Sequence, residues 1–357
     1  MNRLLQLVPR LPPAVDGLGD YAALLGHGLT SAGIACRYLV GDPSWQGGGE
    51  HTLDAEVLPA RSAEAVVHAL DGHELVLLHF VNYAYDPLQG CPTWLVTGLE
   101  RWHAGGRGRR LLVMFHELYA MGWPWRKAFW YSAPQRALSA RLARLADGCW
   151  TSNRRYGDWL TRVLGRAIPC WPVLSNIGEP EQMPACTTRA PALVVFGRAV
   201  NRQRVYATLR HDLIAWCAQL GIRELHDVGA PLATPAPAIG RLRTTCHGLL
   251  PATELSRLLL TVRLGVIHND GSPLAKSGVV AAYAAHGVVP LCEGGHQAAD
   301  GLVPGFSMVD LTTSPTSARC DIATHVHDWY RAHGRGPLTR AVITWMRGGG
   351  LPAPMDC

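Results

Sequence analysis

The stretch from Arg263 to Gly295 constrains the fold more than any other part of this sequence. A short apolar run, Leu264 to Ile267, reads as a buried strand. A polar turn follows, Asn269-Asp270-Gly271-Ser272-Pro273, then an Ala-rich helix that stops at Gly287 and a second apolar strand from Val288 to Cys292. Such a strand–loop–helix–strand unit joins parallel strands by a right-handed crossover, so the sequence predicts an α/β fold. Ligands of open α/β sheets sit beyond the carboxyl ends of the strands, where helix N-termini point. Lys276-Ser277-Gly278 stands at that place. Ser277 as N-cap, Gly278 leaving backbone N–H groups bare and Lys276 adding a mobile positive charge would make an anion site, most naturally for phosphate. A second reading starts the helix at Ser272-Pro273 and leaves Lys276 and Ser277 on a solvated face one turn inside.

The stretch resembles the carboxyl-terminal signature of GT-B glycosyltransferases, in particular the retaining family 4 group. Gly287-Val288-Val289-Pro290 fits the end of that signature, a helix closed by glycine and a Val-Pro strand. The family's paired glutamates, which hold the donor sugar and ribose, would fall at Leu274 and Ala282, so both acids are absent. Lys276-Ser277-Gly278 takes the place of the Gly-rich loop between them.

At 357 residues the chain has room for two domains, each with its own core. Hydrophobic residues make up 48% and charged residues 17%, which excludes a disordered chain. A net charge of +6 suits anionic ligands but argues against nucleic acid, because its densest patches, Arg107-Gly108-Arg109-Arg110 and Arg154-Arg155, are short. The 10 cysteines include no Cys-x-x-Cys pair and are expected to be reduced thiols of a cytoplasmic protein. His325 and His327 would diverge on a helix, so no metal site is expected. No apolar run is long enough to span a bilayer, and the apolar start reads as the first strand rather than a signal segment.

In chain order, Leu4 to Val8 is that strand, and Gly17-Leu18-Gly19-Asp20 opens a helix to about Ser31. A Gly-x-Gly here turns backbone N–H groups toward a ligand or merely makes a tight turn; the glycosyltransferase family carries a similar loop. Leu75 to Phe80 reads as a strand with His79 near its end, followed by Asn82 and Tyr83. Leu111 to Phe115 is another, followed by His116-Glu117. A histidine at such an edge is either a satisfied structural residue or part of a site. The resemblance favours the site for His116, since family members carry a histidine there that contacts the donor sugar. Glu117 is its partner or a capping acid. Trp123 to Tyr131 mixes aromatics, Trp125 among them, with Arg126 and Lys127, as a lid, an acceptor loop or a membrane-interfacial loop would. Helices are expected over Gln135 to Ala146 and Tyr156 to Leu164.

The proline-rich segment 173–190 is expected to link residues 1–172 to residues 191–357, because the strand–helix pattern restarts at Ala192. By resemblance Arg198 and either Arg202 or Arg204 would grip a nucleotide diphosphate. Leu249 and Leu250 precede a helix that in the family runs beneath the base. Two terminal helices, Ile322 to His333 and Thr339 to Met346, would brace the first domain.

The resemblance thus implies two Rossmann-like domains facing across a cleft, and a metal-independent transferase with no cofactor beyond its nucleotide-sugar co-substrate. His116 and Glu117 would be catalytic. Gly17, Gly19, Arg198, Arg202, Arg204, Lys276, Ser277 and Gly278 would bind the donor. Asp20, His79, Asn82, Tyr83 and Trp125 would face the acceptor, which would be a glycan, a lipid-linked or a small molecule, with peripheral membrane contact as a further expectation. A sugar-nucleotide epimerase and a non-catalytic partner subunit or sensor are the alternatives.

Overall fold

The computed structural model describes residues 3–14, 17–47, 53–120, 123, 125, 127–208, 210–234, 238–268, 273–292, 299–310 and 320–353. The chain forms two compact units. The first takes Met1–Trp171 together with Arg335–Pro354, and the second begins at Pro172 and runs to Gly334.

In the first unit the elements run β1 (Arg3–Val8), α1 (Gly17–Ser31), β2 (Ala35–Val40), β3 (Ala55–Val57), α2 (Ala63–Ala69), β4 (Leu75–Phe80) and α3 (Asn82–Tyr85). They continue α4 (Thr93–Ala104), β5 (Arg110–Phe115), α5 (Lys127–Leu145), β6 (Gly148–Thr151) and α6 (Arg154–Leu164). The second unit holds β7 (Ala190–Phe196), α7 (Ala199–Thr208), α8 (Arg210–Gln219), β8 (Glu224–Val228), β9 (Arg243–Gly248), α9 (Ala252–Thr261) and β10 (Val262–Ile267). It ends with α10 (Gly278–Ala285), β11 (Val289–Cys292), β12 (Val309–Asp310) and α11 (Cys320–His333). The last helix, α12 (Arg335–Met346), returns to the first unit, where it packs on α1 and Thr339 abuts Gly28.

Each unit carries a 6-stranded sheet, ordered β3-β2-β1-β4-β5-β6 in one and β12-β11-β10-β7-β8-β9 in the other. The described strand pairs are parallel. The same doubly wound order is therefore built twice, and in each sheet the connections reverse direction between the two central strands. Alternation along the strands divides the two faces of the first sheet. Leu5, Leu7, Val76, Leu78 and Phe80 join one core cluster, while Gln6 and His79, one residue out of step, meet on the other face.

The segment expected as a linker, 173–190, is packed into the second unit. Val173 N–H donates to Ala275 O at 2.9 Å, and Ser175 N–H to the Tyr330 hydroxyl at 2.9 Å. Arg189 is buried with no carboxylate among its partners. Its guanidinium donates to the carbonyls of Pro184, Leu259, Val262 and His286, the closest at 2.8 Å. Burial lowers its pKa to about 10.

One expectation about the cysteines is corrected. Cys186 and Cys320 form a disulfide across 134 residues of sequence, Cα to Cα 5.4 Å, where the short 3-10 turn Cys186–Thr188 meets the start of α11. Cys149, Cys217 and Cys292 are buried and form no disulfide. No helix among the described residues is long and apolar enough to cross a membrane.

Candidate functional site

Where two parallel strands part, their main-chain carbonyls lose ladder partners and need others. In the second unit that place lies between β7 and β10. The buried hydroxyl of Tyr283 in α10 is shared between Val194 O at 3.1 Å and Val266 O at 3.3 Å. Gly265 in β10 makes room for the ring, since a Cβ there would stand 2.5 Å from it. This wedge seats α10 with its first turn at the carboxyl edge of the sheet.

The turn itself settles the two readings of its sequence. Ser277 is the N-cap, its hydroxyl accepting from Val280 N–H at 3.3 Å, whereas Pro273 precedes only a 3-10 turn, Leu274–Lys276. Gly278 is the first helical residue. A Cβ there would find only Asn176 Oδ1, at 3.8 Å, so its backbone is open. Gly197, which ends β7 at φ 125°, lies against Val279, with 3.3 Å between its would-be Cβ and Val279 Cγ2. The β7–α7 turn that carries Arg198 and the first turn of α10 are thus neighbours.

Three adjacent strands end alike. Gly197 and Gly229 follow β7 and β8, Gly248 is the last residue of β9, and all three have positive φ. Gly197 N–H donates to Val228 O at 3.2 Å and Gly229 N–H to Gly248 O at 2.8 Å. Only glycine takes these angles without strain. At Gly229 a Cβ would also collide with the Gly197 carbonyl.

Of the arginines expected to bind the donor, Arg202 is a correction. Its side chain is 1% exposed, pairs with Asp227, and donates to the carbonyls of Ala230 and Gly197. Tyr206 completes the cluster by donating to Asp227 Oδ2 at 2.7 Å. Arg202 therefore supports the three-glycine edge from inside and presents nothing to a ligand. Arg198 and Arg204 are exposed, and Lys276 is half-buried and engaged in interactions of its own. Leu249 is exposed beyond β9, and the turn Asn269 to Ser272 lies outside the described residues.

The first unit repeats the wedge with a different element. The Tyr85 hydroxyl, from α3, is shared between Leu7 O of β1 at 3.2 Å and His79 O of β4 at 3.1 Å. Relative to the strand register the two tyrosines bind equivalent carbonyls, since Leu7 pairs with Leu78 and Val194 with Gly265. Beyond this the edges differ, because here the polar groups are side chains. His79 Nδ1 lies 3.2 Å from His116 Nε2, and His79 Nε2 lies 2.8 Å from Gln6 Oε1. Tyr21 of α1 stands edge-on to both rings, at 5.0 Å from His116 and 5.8 Å from His79. Burial lowers the pKa of His79 to about 3 and holds the ring neutral.

Several residues expected at the acceptor side are corrected accordingly. His79 is fully buried and reaches the edge only through His116. Asn82 is buried and donates to Gly90 O at 3.0 Å, and Tyr83 lies beneath Gly90, so both shape a turn. Gly19 is a packing glycine, its would-be Cβ 2.6 Å from Arg10 O, while Gly17 opens onto space. Asp20 is half-buried in the first turn of α1, and Glu117 is exposed beside His116. Trp125 is 75% exposed and stacks on Trp123 at 5.2 Å.

Sequence reasoning missed Gln6, Tyr85, Tyr283 and Asp227. A signal existed for Gln6, a single polar residue inside an apolar strand. No group of three or more metal-ligating side chains gathers among the described residues. His325 and His327 go separate ways, to Phe306 O at 3.1 Å and to Ala284 O at 3.2 Å.

No family model and no curated protein matches the chain. Solved structures do match. HepE of Anabaena, in complex with UDP and glucose, shares 11% identity with a TM-score of 0.62, covering 98% of this chain and 100% of that one. An alpha-glucosyltransferase in complex with UDP and a 13-mer DNA shares 8% identity with a TM-score of 0.58, over 96% and 98% of the two chains. A Listeria monocytogenes protein described as a UDP-N-acetylglucosamine 2-epimerase shares 11% identity with a TM-score of 0.57, over 100% of both. These likenesses, with the twice-built sheet, give the chain the GT-B fold. At such identities the likeness is one of fold, and a shared fold leaves the activity open.

Proposed function

We propose that this chain is a glycosyltransferase of the retaining family 4 kind, moving a sugar from a nucleotide-diphosphate donor to an acceptor with no essential metal. The observation that carries the reading is the contact of Gly197 with Val279, which puts Arg198 beside the open first turn of α10. A helix N-terminus with bare N–H groups and a nearby guanidinium suits a diphosphate and would stabilise it as it departs. Lys276 would add charge from the preceding turn. Leu274 and Ala282 stand where the family has acids, and Ala282 is fully buried in α10. Donor affinity would therefore rest on the diphosphate rather than on carboxylate contacts to ribose and sugar.

His116 is assigned to the sugar, with Glu117 beside it. On the acceptor side, the stacked Trp123 and Trp125 would suit a glycan or a lipid-linked acceptor held near a membrane surface. The DNA in the alpha-glucosyltransferase complex belongs to that protein. The short basic patches of the present chain still argue against a nucleic-acid acceptor.

Thermal shift across nucleoside diphosphates and nucleotide sugars, followed by a donor-hydrolysis assay, tests the reading. Stabilisation by a diphosphate and by its sugar, but not by the bare nucleoside, is expected. The absence of any shift would favour a non-catalytic chain. His116→Ala should cut turnover strongly while leaving affinity for the free diphosphate nearly intact, and parallel losses would make His116 structural. The Listeria relative in fold keeps an epimerase in view. A new sugar nucleotide formed with no acceptor present would decide for it.

A further inference from the structure

We infer that Gln6 and His79 are positioning residues, whose hydrogen-bond chain fixes His116 as the tautomer that carries its proton on Nε2. The inference rests on the assignment of His116 to the sugar and adds how that ring is set. Gln6 is the buried end of this chain of hydrogen bonds. Gln6 Oε1 has lone pairs and no proton, so at 2.8 Å the proton between it and His79 sits on His79 Nε2. His79 is neutral, and a neutral imidazole has one N–H only, so its Nδ1 is an acceptor. The group 3.2 Å away, His116 Nε2, must then donate, and in the neutral ring the lone pair is left on Nδ1.

The surroundings hold this chain in place. Gln6 Nε2 lies 2.8 Å from where a Cβ of Gly26 would be, so α1 comes down on the amide at a residue with no side chain. Tyr21, from the same helix, flanks both imidazoles edge-on. Gln6 and His79 occupy consecutive rungs of the face opposite the main apolar cluster, which they share with Leu77, Tyr38 and Cys36. Two polar side chains buried there have no packing advantage over leucine, and burying them costs free energy unless their bonds are made. Orienting His116 is the role that their geometry serves.

The test is nitrogen NMR of the full-length protein labelled with 15N-histidine, without ligand, so it needs no activity. The expected result is that His79 and His116 are both protonated on Nε2 at neutral pH. His116 protonated on Nδ1, or an even mixture of the two forms, would overturn the inference even if glycosyl transfer were proven. Conversely, the expected tautomers in a protein with no transfer activity would leave the inference standing and sink only the proposed reaction. Gln6→Met keeps the volume and removes the acceptor. It should scramble both tautomers and lower kcat roughly ten- to a hundredfold, with KM for the donor unchanged. Wild-type kcat in a folded Gln6→Met protein with scrambled tautomers would refute the positioning role. Should that variant fail to fold, the wild-type spectrum decides.

Discussion

The two units part their central strands in the same way and then furnish the resulting edge in opposite ways. Tyr85 and Tyr283 each share one hydroxyl between two orphaned carbonyls at equivalent registers. Above that wedge the first unit places buried side chains, Gln6, His79 and His116. The second places backbone, in three positive-φ glycines and an open helix start. An edge of side chains reads shape and hydrogen-bond direction, and loses its meaning when one link is cut. An edge of backbone N–H groups reads charge, survives side-chain truncation, and is blocked when a Cβ is added. The same fold thus offers two chemically different edges.

The sharpest break in this comparison is Arg202→Ala. Arg202 supports the backbone edge from inside, and its loss leaves Asp227 buried with Tyr206 alone. Removing one partner of a buried pair costs about 3–5 kcal/mol, and we expect that loss in urea denaturation of the second unit. A change below about 1 kcal/mol would mean that the edge does not depend on this clamp.

Next come substitutions at the edge itself. Arg198→Ala should weaken nucleoside diphosphate binding roughly ten- to a hundredfold, the worth of a charge-assisted contact of about 1.5–3 kcal/mol, while sparing the bare nucleoside. Lys276→Ala should fall in the same range. Gly278→Val should lower diphosphate affinity at least tenfold yet change stability by under about 1 kcal/mol, because a Cβ there meets only Asn176 Oδ1, at an ordinary 3.8 Å. Calorimetric titration of each variant with both ligands measures this. Equal and negligible losses for the two ligands would remove the anion site from the second unit.

The wedges allow a matched pair of tests. Tyr85→Phe and Tyr283→Phe each leave two buried carbonyls without their shared donor and should cost about 1–3 kcal/mol apiece, by similar amounts. A cost in only one unit would mean that the two wedges are not equivalent.

A further effect, spread over three rings, is a pH slope. Burial lowers His79 and His333 to about 3 and His286 to about 4, against an ordinary value of 6.5. Each ring stays neutral in the fold but takes a proton on unfolding once the pH drops below its ordinary value. Stability conferred by this difference is full above about pH 6.5 and declines as pH falls toward 3–4. Denaturation midpoints at pH 7 and pH 5 should show the decline, and His79→Phe should flatten the part that belongs to the first unit.

Much of this was legible in the sequence where local rules act alone. Ser277 as cap, the glycine that ends α10 at Gly287 with φ 58°, and the strands Leu75–Phe80 and Arg110–Phe115 are all visible there or nearly so. What stayed hidden depends on partners distant in sequence. Nothing in the spacing of Arg198, Arg202 and Arg204 says that the middle one turns inward to Asp227. Cys186 and Cys320 carry no local mark of their pairing. His79 was misassigned to the surface of the site, although its place inside the unbroken apolar run LVLLHF pointed to burial. The helix α4 was overlooked because no side chain caps its start after Pro92.

The placement of α12 has a consequence for how the protein is made. Its residues follow the whole of the second unit in the chain, yet they pack on α1, and Trp345 is buried beside Gly148 of β6. The first unit to leave the ribosome is therefore the last to be complete. It must wait, with the face of α1 near Gly28 uncovered, while residues 172–334 are synthesised and fold. A cavity of about 410 Å³ persists beside the late helix, lined by Arg110, Arg166 and Trp345. A chain truncated before Arg335 would hold a finished second unit and an open first one. Chaperone capture during translation should accordingly peak late, at the first unit, and end when α12 emerges.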